Sequence, residues 1–409
     1  MTKISARLES PGADLGHVGK VPFLFRSASV SVDGKRFHTP ARAATTVEFN
    51  SNSRLKEIVR ISSEVSLVDK PLYRDDMKSF LNDLTGSSYS NVNSSIDRHI
   101  SKMRYSTLKG FVIRPDGKAA TRLFRSKRER YERLYDYSFE IAKNTSSDFF
   151  GLPFPHGIPV KVVEQLWQNY VVDRNDDDPY PVLFLDPSDK GINSLFYLMP
   201  FLKSMVKSSH TDIIGLNYTG AIRMQPLIRE LIKEFKDSNV MFLTVGVPRL
   251  SNYGSLSGIH GQEMFMSDII AMKSGRRFPP DGEDDVASNT PLSPLKVFED
   301  GPLTIAELIS LTSNKERAEK FLESVGALSS AELRKSILNA LANKPVSASS
   351  LDAEDAQMLS DAFKLHELEI SSREIESSRQ YARQGEVKTY VNKEKPSLKN
   401  WLRQVSGAI

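Results

Sequence analysis

The chain reads PVLFLDP at residues 181–187, INSLFYLMPFLKSMVKS at 192–208, DIIGLNY at 212–218, AIRMQPLIRELIKEF at 221–235 and NVMFLTVGVPR at 239–249. Short apolar runs that predict buried strands therefore alternate with longer runs that predict helices. Strands separated by helices of this length are typical of parallel βαβ crossovers. A series of such units indicates an α/β fold, either a TIM-type barrel or a doubly wound sheet.

In both architectures the chemistry takes place at the carboxyl ends of the strands. Asp186 follows the first of these strands, Asn217 and Tyr218 end the second, and the turn from Gly246 to Arg249 ends the third. Asp186 is a candidate catalytic carboxylate, although aspartate is also an ordinary turn former. Asn217 and Tyr218 could hydrogen-bond to a base or stack on it, or they could simply pack within a loop. Gly246 is a further candidate for contact with the base.

Upstream of this region, alternation between Val21 and Glu48 around Asp33-Gly34 predicts a β-hairpin. The Ser/Asn-rich segment 86–95 favours a mobile loop, and the apolar spacing between Thr121 and Lys143 favours an amphipathic helix. Downstream, residues 279–302 contain five prolines, which is typical of an extended linker. We therefore divide the chain into residues 1–110 (a β-rich part with the first barrel elements), 111–280 (the main barrel portion), 281–302 (a Pro-rich linker) and 303–409 (a helical region).

The composition is that of a globular protein, with 39% hydrophobic and 26% charged residues among 409. The absence of cysteine excludes disulfides, Cys-ligated zinc and iron–sulfur clusters. No apolar signal segment opens the chain, and its most apolar run, SLFYLMPFL, is shorter than the ~18 residues of a membrane span. We expect a soluble cytoplasmic protein. Lys and Arg exceed Asp and Glu by only 55 − 51 = 4, so the distribution of charge matters more than its sum.

Five segments resemble the tRNA-guanine transglycosylase superfamily, in the order in which that family has them. They are RFHTPARA (36–43), SSDFFGLPFP (146–155), VMFLTVGVPRL (240–250), GQEMFMSDIIAMKSGRRF (261–278) and a C-terminal helical stretch (362–398) with a final P-x-L. The resemblance implies a (β/α)8 barrel with an N-terminal hairpin and a C-terminal helical extension. It also implies an enzyme that acts on the N-glycosidic bond of a base in nucleic acid.

The departures from the family are informative. Its zinc site has three cysteines and a histidine, and only the histidine survives, as His366, so we expect no zinc and no cofactor. The motif that carries the family's nucleophilic aspartate matches this sequence at Glu263. At the position of the nucleophile itself, however, this sequence has Met266. Alignment on the downstream Ser274-Gly275-Arg276 instead brings Asp268 close to that position. Phe154 occupies the position of the family's guanine-reading aspartate. Because its side chain cannot accept hydrogen bonds, we expect the pocket to read a different base or to stack on it.

Asp268 is the first candidate for the carboxylate that attacks or stabilises the sugar carbon, with Glu263 as a second acid. Asp268 lies in an apolar run, where a charge is costly unless it is hydrogen-bonded or functional. The structural alternatives are a helix N-cap for Asp268, a structural ion pair for Glu263 and, for His366, a core-facing position on the C-terminal helix.

Basic residues are concentrated in RLFRSKRERYER (122–133) and at Arg276-Arg277 after the candidate active-site strand. Such a density of positive charge with interleaved aromatic rings suits contacts with phosphates and unpaired bases, although many such runs are only solvated helix faces. The candidate nucleic-acid contacts are Arg122, Arg125, Lys127, Arg128, Arg249, Arg276 and Arg277.

The leading hypothesis is a DNA glycosylase-like enzyme that excises a modified base, with defence against phage DNA as its expected role. DNA is favoured over tRNA because the zinc ligands and the guanine-reading aspartate are absent. One alternative is a transglycosylase that exchanges a base in tRNA or DNA, such as one that inserts a deazaguanine. The other is a non-catalytic nucleic-acid-binding subunit. The sequence leaves monomer and homodimer open.

Overall fold

The computed structural model describes residues 4–14, 24–49, 64–72, 87–103, 105–115, 128–154, 158–175, 177–185, 195–208, 213–251, 254–265, 267–273, 290–291, 295–312, 314–343, 350–351 and 353–407. Within them lies a closed barrel of eight parallel strands with flanking helices. The predicted (β/α)8 barrel is confirmed, as is the helical C-terminal region. No helix in the described part of the chain combines the length and apolarity of a membrane span.

An antiparallel sheet of three strands precedes the barrel: β1 (Ile4–Asp14), β2 (Leu24–Val32) and β3 (Lys35–Thr39). Asp33 and Gly34 form the predicted hairpin turn, with φ of 50° and 82°. Val30 and Phe37 are fully buried in the cluster that fills the barrel. The sheet therefore covers the amino-terminal end of the barrel, which we call the floor. The opposite end, where the strands terminate, is the mouth.

The eight barrel strands follow one another in chain order, and the eighth pairs with the first. All eight neighbouring pairs are parallel, including those among the three strands that the sequence predicted. The strands are β4 (Ala41–Thr45), β5 (Val65–Leu72), β6 (Leu108–Pro115), β7 (Phe149–Pro153), β8 (Tyr180–Leu185), β9 (Ile213–Asn217), β10 (Met241–Val247) and β11 (Ile269–Met272).

Helices connect the strands on the outside of the barrel, where a second and larger apolar cluster lies. They are α1 (Thr46–Phe49), α2 (Ser87–Ile100), α3 (Arg128–Asn144), α4 (Val160–Val172), α5 (Leu195–Ser208), α6 (Ala221–Phe235) and α7 (Gly258–Glu263).

Residues 273–352 separate β11 from the long helix that packs against the first barrel strand. This insertion contains the strand pairs β12 (Thr290–Pro291) with β15 (Ser350–Leu351) and β13 (Lys296–Glu299) with β14 (Thr304–Glu307). Its helices are α8 (Leu308–Thr312), α9 (Lys315–Gly326) and α10 (Ala331–Asn343), and after it come α11 (Ala353–Arg383), α12 (Val387–Thr389), a π-helical turn (Tyr390–Glu394) and α13 (Pro396–Gly407).

Two expectations about segments differ from the structure. The Ser/Asn-rich segment was expected to be a loop, but it begins α2, in which Val92, Ile96 and Ile100 are buried in the outer cluster at four-residue spacing. Packing of this apolar stripe outweighs the low helix propensity of serine and asparagine. The Pro-rich segment 281–302 was expected to be a linker throughout, but β13 lies within it and pairs with β14.

Two aromatic rings fill much of the barrel interior. Phe149 and Phe184 point inward and are almost completely buried. Glycines stand opposite them: a Cβ on Gly110 would lie 2.5 Å from Phe149 Cδ1, and one on Gly215 would lie 2.5 Å from Phe184 Cγ. Glycine is required at these two positions because the rings occupy the space that a Cβ would need.

We predict that Gly215→Ala lowers the free energy of unfolding by about 1–3 kcal/mol, because the added methyl group overpacks the barrel. In a Phe184→Leu background the same substitution should lower the free energy of unfolding by less, since the smaller leucine side chain leaves room for the added methyl group. Denaturant unfolding of the four proteins in this cycle measures the coupling. Gly326→Ala is the control, because nothing lies within 4 Å of a Cβ there. Equal costs in the two backgrounds would contradict this account of the barrel interior.

Candidate functional site at the barrel mouth

Polar side chains at the mouth continue the inward-facing rows of three barrel strands. Asp69 follows Val65 and Leu67 on β5, and Arg114 follows Leu108, Gly110 and Val112 on β6. Asn217 follows Ile213 and Gly215 on β9. Because side chains alternate along a strand, all three polar groups face the barrel axis above its apolar filling.

Asp69 holds Arg114 by two hydrogen bonds. Arg114 Nε donates to Asp69 Oδ1 at 3.1 Å, and Nη2 donates to Oδ2 at 2.7 Å. The aspartate side chain is 1% exposed and the arginine side chain 26%. A bidentate pair of this kind fixes the plane of the guanidinium. A ligand entering the mouth would therefore meet Arg114, with Asp69 behind it.

Gly246 lies close to Arg114 on the opposite wall. It lies on β10, four strands around the barrel from β6, at an irregularity in the pairing of β10 with β11. Its φ is +77°, and a Cβ there would lie 3.5 Å from Arg114 Nη1. Arg114 therefore spans the mouth from one wall to the other.

Asn217 lies next to this far wall, in register with Val245, the residue before Gly246. It is 91% buried, and its Oδ1 has no hydrogen-bond partner among the described residues. A buried polar atom without a partner is costly, and such atoms call for a functional explanation or an unseen partner. Two of the predicted base-binding residues, Asn217 and Gly246, thus come together with Arg114.

A buried carboxylate also follows the first barrel strand. Glu48 accepts hydrogen bonds from the Thr45 hydroxyl at 2.7 Å and backbone N–H at 2.9 Å, and from Arg42 Nη2 at 2.8 Å. Arg42 in turn donates to the hydroxyl of Ser371 on α11 at 2.7 Å. This network ties the end of β4 to α11, so Glu48 has a structural role.

The structure corrects the assignment of Asp268, which it places at the floor, immediately before β11. Its side chain is completely buried and forms an ion pair with Arg26 of β2. It also accepts hydrogen bonds from Arg26 Nε at 3.1 Å, Thr39 Oγ1 at 3.3 Å and the Phe242 backbone N–H at 2.8 Å. The hydrogen-bonding capacity of this carboxylate is met, and it lies at the end of the barrel opposite the mouth. It therefore cannot attack a sugar that is bound at the mouth. A strand follows Asp268, so it is not a helix N-cap either.

Glu263 and Arg249 are also engaged in structural bonds. Glu263 ends α7 and accepts hydrogen bonds from His260 Nδ1 at 2.7 Å and from the Ser378 hydroxyl at 3.2 Å. Arg249 donates to Glu367 on α11 and to the backbone carbonyl of Lys296. The structural alternative thus fits Glu263. Arg249 joins the β10 loop to α11 and to the insertion, and its contact with nucleic acid stays a prediction.

Phe154 and Tyr218 lie outside the barrel interior. Phe154 packs against the outer cluster, with its ring 6.1 Å from that of Phe201 in an edge-to-face arrangement. Tyr218 packs against the apolar side chains around Ile375 of α11. Both side chains are only partly buried in these clusters, and their stacking role stays a prediction.

Arg128 is the more exposed of the two predicted phosphate contacts that the structure describes. It begins α3, the helix that follows β6, and therefore lies on the mouth side. Its side chain is 56% exposed and pairs with Glu132 one turn along the helix. The other predicted site residues, Asp186, Arg122, Arg125, Lys127, Arg276 and Arg277, lie outside the described residues.

His366 occupies a core position on α11. Its Nε2 lies 3.2 Å from the backbone carbonyl of Phe298, and its ring packs edge-on against Phe321. Burial lowers the pKa of His366 to about 4, so the ring is neutral at pH 7. It joins α11 to the insertion by packing. The described residues contain no group of three or more side chains that could hold a metal ion.

No family model matches the chain, and no curated protein matches it.

Asp69 and Arg114 were missed by the sequence analysis. The available signal was the alternation of VSLVD (65–69), which places an aspartate on the inward row of a strand.

We predict that Asp268→Asn lowers the free energy of unfolding by about 3–5 kcal/mol, because it leaves the buried charge of Arg26 without its counterion. Asp97→Asn, at an exposed position on α2, should change it by less than about 0.5 kcal/mol. Chemical denaturation measures both. Unchanged stability together with lost activity of Asp268→Asn would instead restore this residue as a catalytic candidate.

Proposed function

We propose that the protein is an enzyme that cleaves the N-glycosidic bond of a base in nucleic acid, with DNA as the favoured substrate and the barrel mouth as its active site. The observation that carries the proposal is Arg114, which is fixed by Asp69 and reaches across the mouth to Gly246. The resemblance of five segments to the transglycosylases supports the choice of substrate class.

Arg114 is suited to a base as ligand. A guanidinium donates hydrogen bonds to paired acceptor atoms on the edge of a base. Asn217, close by on the far wall, carries an amide that can both accept and donate. Together they would hold a base that has been turned out of its stack into the mouth.

The same arginine would assist bond cleavage. When the bond between the sugar and the base breaks, the base retains the electron pair and negative charge develops on its ring. A fixed guanidinium beside the acceptor atoms stabilises that charge without having to reorganise. The oxygen of a water molecule then bonds to the sugar carbon and loses a proton, and the base takes up a proton. In this scheme Arg114 is the catalytic residue and Asp69 is its positioning residue.

The exposed Arg128 extends the site towards a polyanion. It lies on the same side of the barrel as Arg114, at the start of the helix that follows the strand carrying Arg114. A phosphate group flanking the bound nucleotide could therefore be held there.

A second candidate is a non-catalytic nucleic-acid-binding subunit. The observation that favours it is the engagement of both acids expected to be catalytic, Asp268 and Glu263, in structural bonds. It differs from the first proposal in predicting binding without release of any base.

The activity test is incubation of the protein with phage DNA that carries modified bases, with plasmid DNA and with tRNA, followed by assays for released base and abasic sites. Arg114→Gln should lower the rate about 10²–10³-fold, the usual effect of removing one preorganised donor. Asp69→Asn should lower it by less, since Arg114 remains but is no longer fixed. Arg98→Gln is the control, at an exposed position near the end of α2 on the floor side.

Each outcome of this assay separates the candidates. Abasic sites support hydrolysis, whereas release of a base with uptake of another base and no abasic site indicates exchange. Binding of DNA or RNA with no release from any substrate contradicts the enzyme and favours the binding subunit.

We also predict that Arg128→Gln weakens DNA binding and reduces the slope of log affinity against log salt concentration by about 1, because one phosphate contact is lost. Fluorescence anisotropy between 50 and 200 mM salt, with Arg98→Gln as control, measures the slope. An unchanged slope would exclude Arg128 from the nucleic-acid interface.

A further inference from the structure

A cavity lies between the insertion and the start of α13. Its volume is about 420 Å³, and it opens between the β13–β14 turn, α9 and the start of α13. None of its lining residues lies on a barrel strand. The site at the mouth therefore does not account for it.

The cations that line this cavity are already compensated. Arg317 donates to both carboxylate oxygens of Glu299, and Glu299 also accepts from the Thr304 hydroxyl at 2.9 Å. Lys320 donates to Glu316 at 2.7 Å, one turn away on the exposed face of α9. The paired charges cancel, so these residues leave no net charge for a ligand to balance.

Asp300, at the turn between β13 and β14, is different. Its side chain is half-buried in the cavity wall and makes no ion pair or side-chain hydrogen bond within the described residues. Burial raises the pKa of Asp300, and the carboxylate of Glu374 raises it further, whereas Lys395, His260 and Arg373 each lower it to a smaller extent. Glu374 is itself bonded to Tyr390 and Lys395. The carboxylate of Asp300 thus has no direct ion-pair partner among the described residues, and the positive charges near it do not offset its burial.

Apolar surface adjoins this carboxylate. Phe321 of α9, Pro302 of the turn and Pro396 at the start of α13 line the same cavity. Carboxylate and apolar wall together match a ligand with a cationic head on a short hydrocarbon stem, because the head can pair with Asp300 while the stem is removed from water.

We propose that this cavity binds a primary ammonium group carried on a short alkyl stem. Such a group is presented either by a free alkyl amine or by a lysine side chain of another polypeptide. The proposal is independent of the reaction at the barrel mouth.

The test is isothermal titration of the full chain with n-pentylamine and with 1-pentanol, which has the same stem and no charge. Pentylamine should bind at least about tenfold more tightly, and Asp300→Asn should remove that advantage. Asp97→Asn, at an exposed position on α2, should leave the affinity within about twofold. Because the carboxylate of Asp300 has no partner in the fold, Asp300→Asn should not lower the thermal unfolding temperature.

A third titration distinguishes the sources. Nα-acetyl-lysine N-methylamide carries the same ammonium and stem on a peptide backbone, and tighter binding than pentylamine supports a lysine side chain as the natural occupant. Weaker binding than pentylamine supports a free amine. Equal affinities for pentylamine and pentanol, no binding of either, or unchanged pentylamine affinity in Asp300→Asn would overturn the proposal.

Discussion

Closure of the barrel depends on the bonds that converge on Asp268. Its backbone N–H donates to Phe242 of β10, and its carbonyl accepts from Ala41 of β4, so one residue joins the seventh, eighth and first strands. Its carboxylate binds Arg26, which also donates to the carbonyl groups of Phe235, Ser238 and Val240. The N-terminal sheet is thereby fixed to the seam at which the barrel closes. A buried charge is tolerated here because its hydrogen-bonding capacity is met.

This arrangement separates stability from function along the barrel axis. The floor is occupied by the N-terminal sheet and the Arg26–Asp268 pair, and the interior by Phe149 and Phe184. The part-exposed Arg114 lies at the opposite end, the mouth. Barrel proteins in general place chemistry at this end, and residues at the other end serve stability.

The sequence predicted the barrel well, because alternation of apolar strands and amphipathic helices is a local property. It failed for α2, where Val92, Ile96 and Ile100 were overlooked among serines and asparagines. It failed for Asp268 for a different reason. An acid in an apolar run indicates only that something compensates its charge, and the compensating Arg26 lies 242 residues away. The Asp69–Arg114 pair, 45 residues apart on neighbouring strands, was likewise invisible until the register of those strands was known.

The pairing of Arg114 with Asp69 also bears on the kind of ligand that the mouth can favour. An unpaired arginine would attract any anion, including free phosphate, and would bind ground state and transition state alike. Here Asp69 already offsets the charge of the guanidinium, so a neutral base gains only ordinary hydrogen bonds on entering. As the glycosidic bond lengthens, negative charge grows on the base, and the attraction to Arg114 grows with it. Stabilisation that increases along the reaction is what lowers a barrier, whereas uniform binding does not. A neutral base with acceptor atoms on its edge is therefore a better match to this pair than a preformed anion.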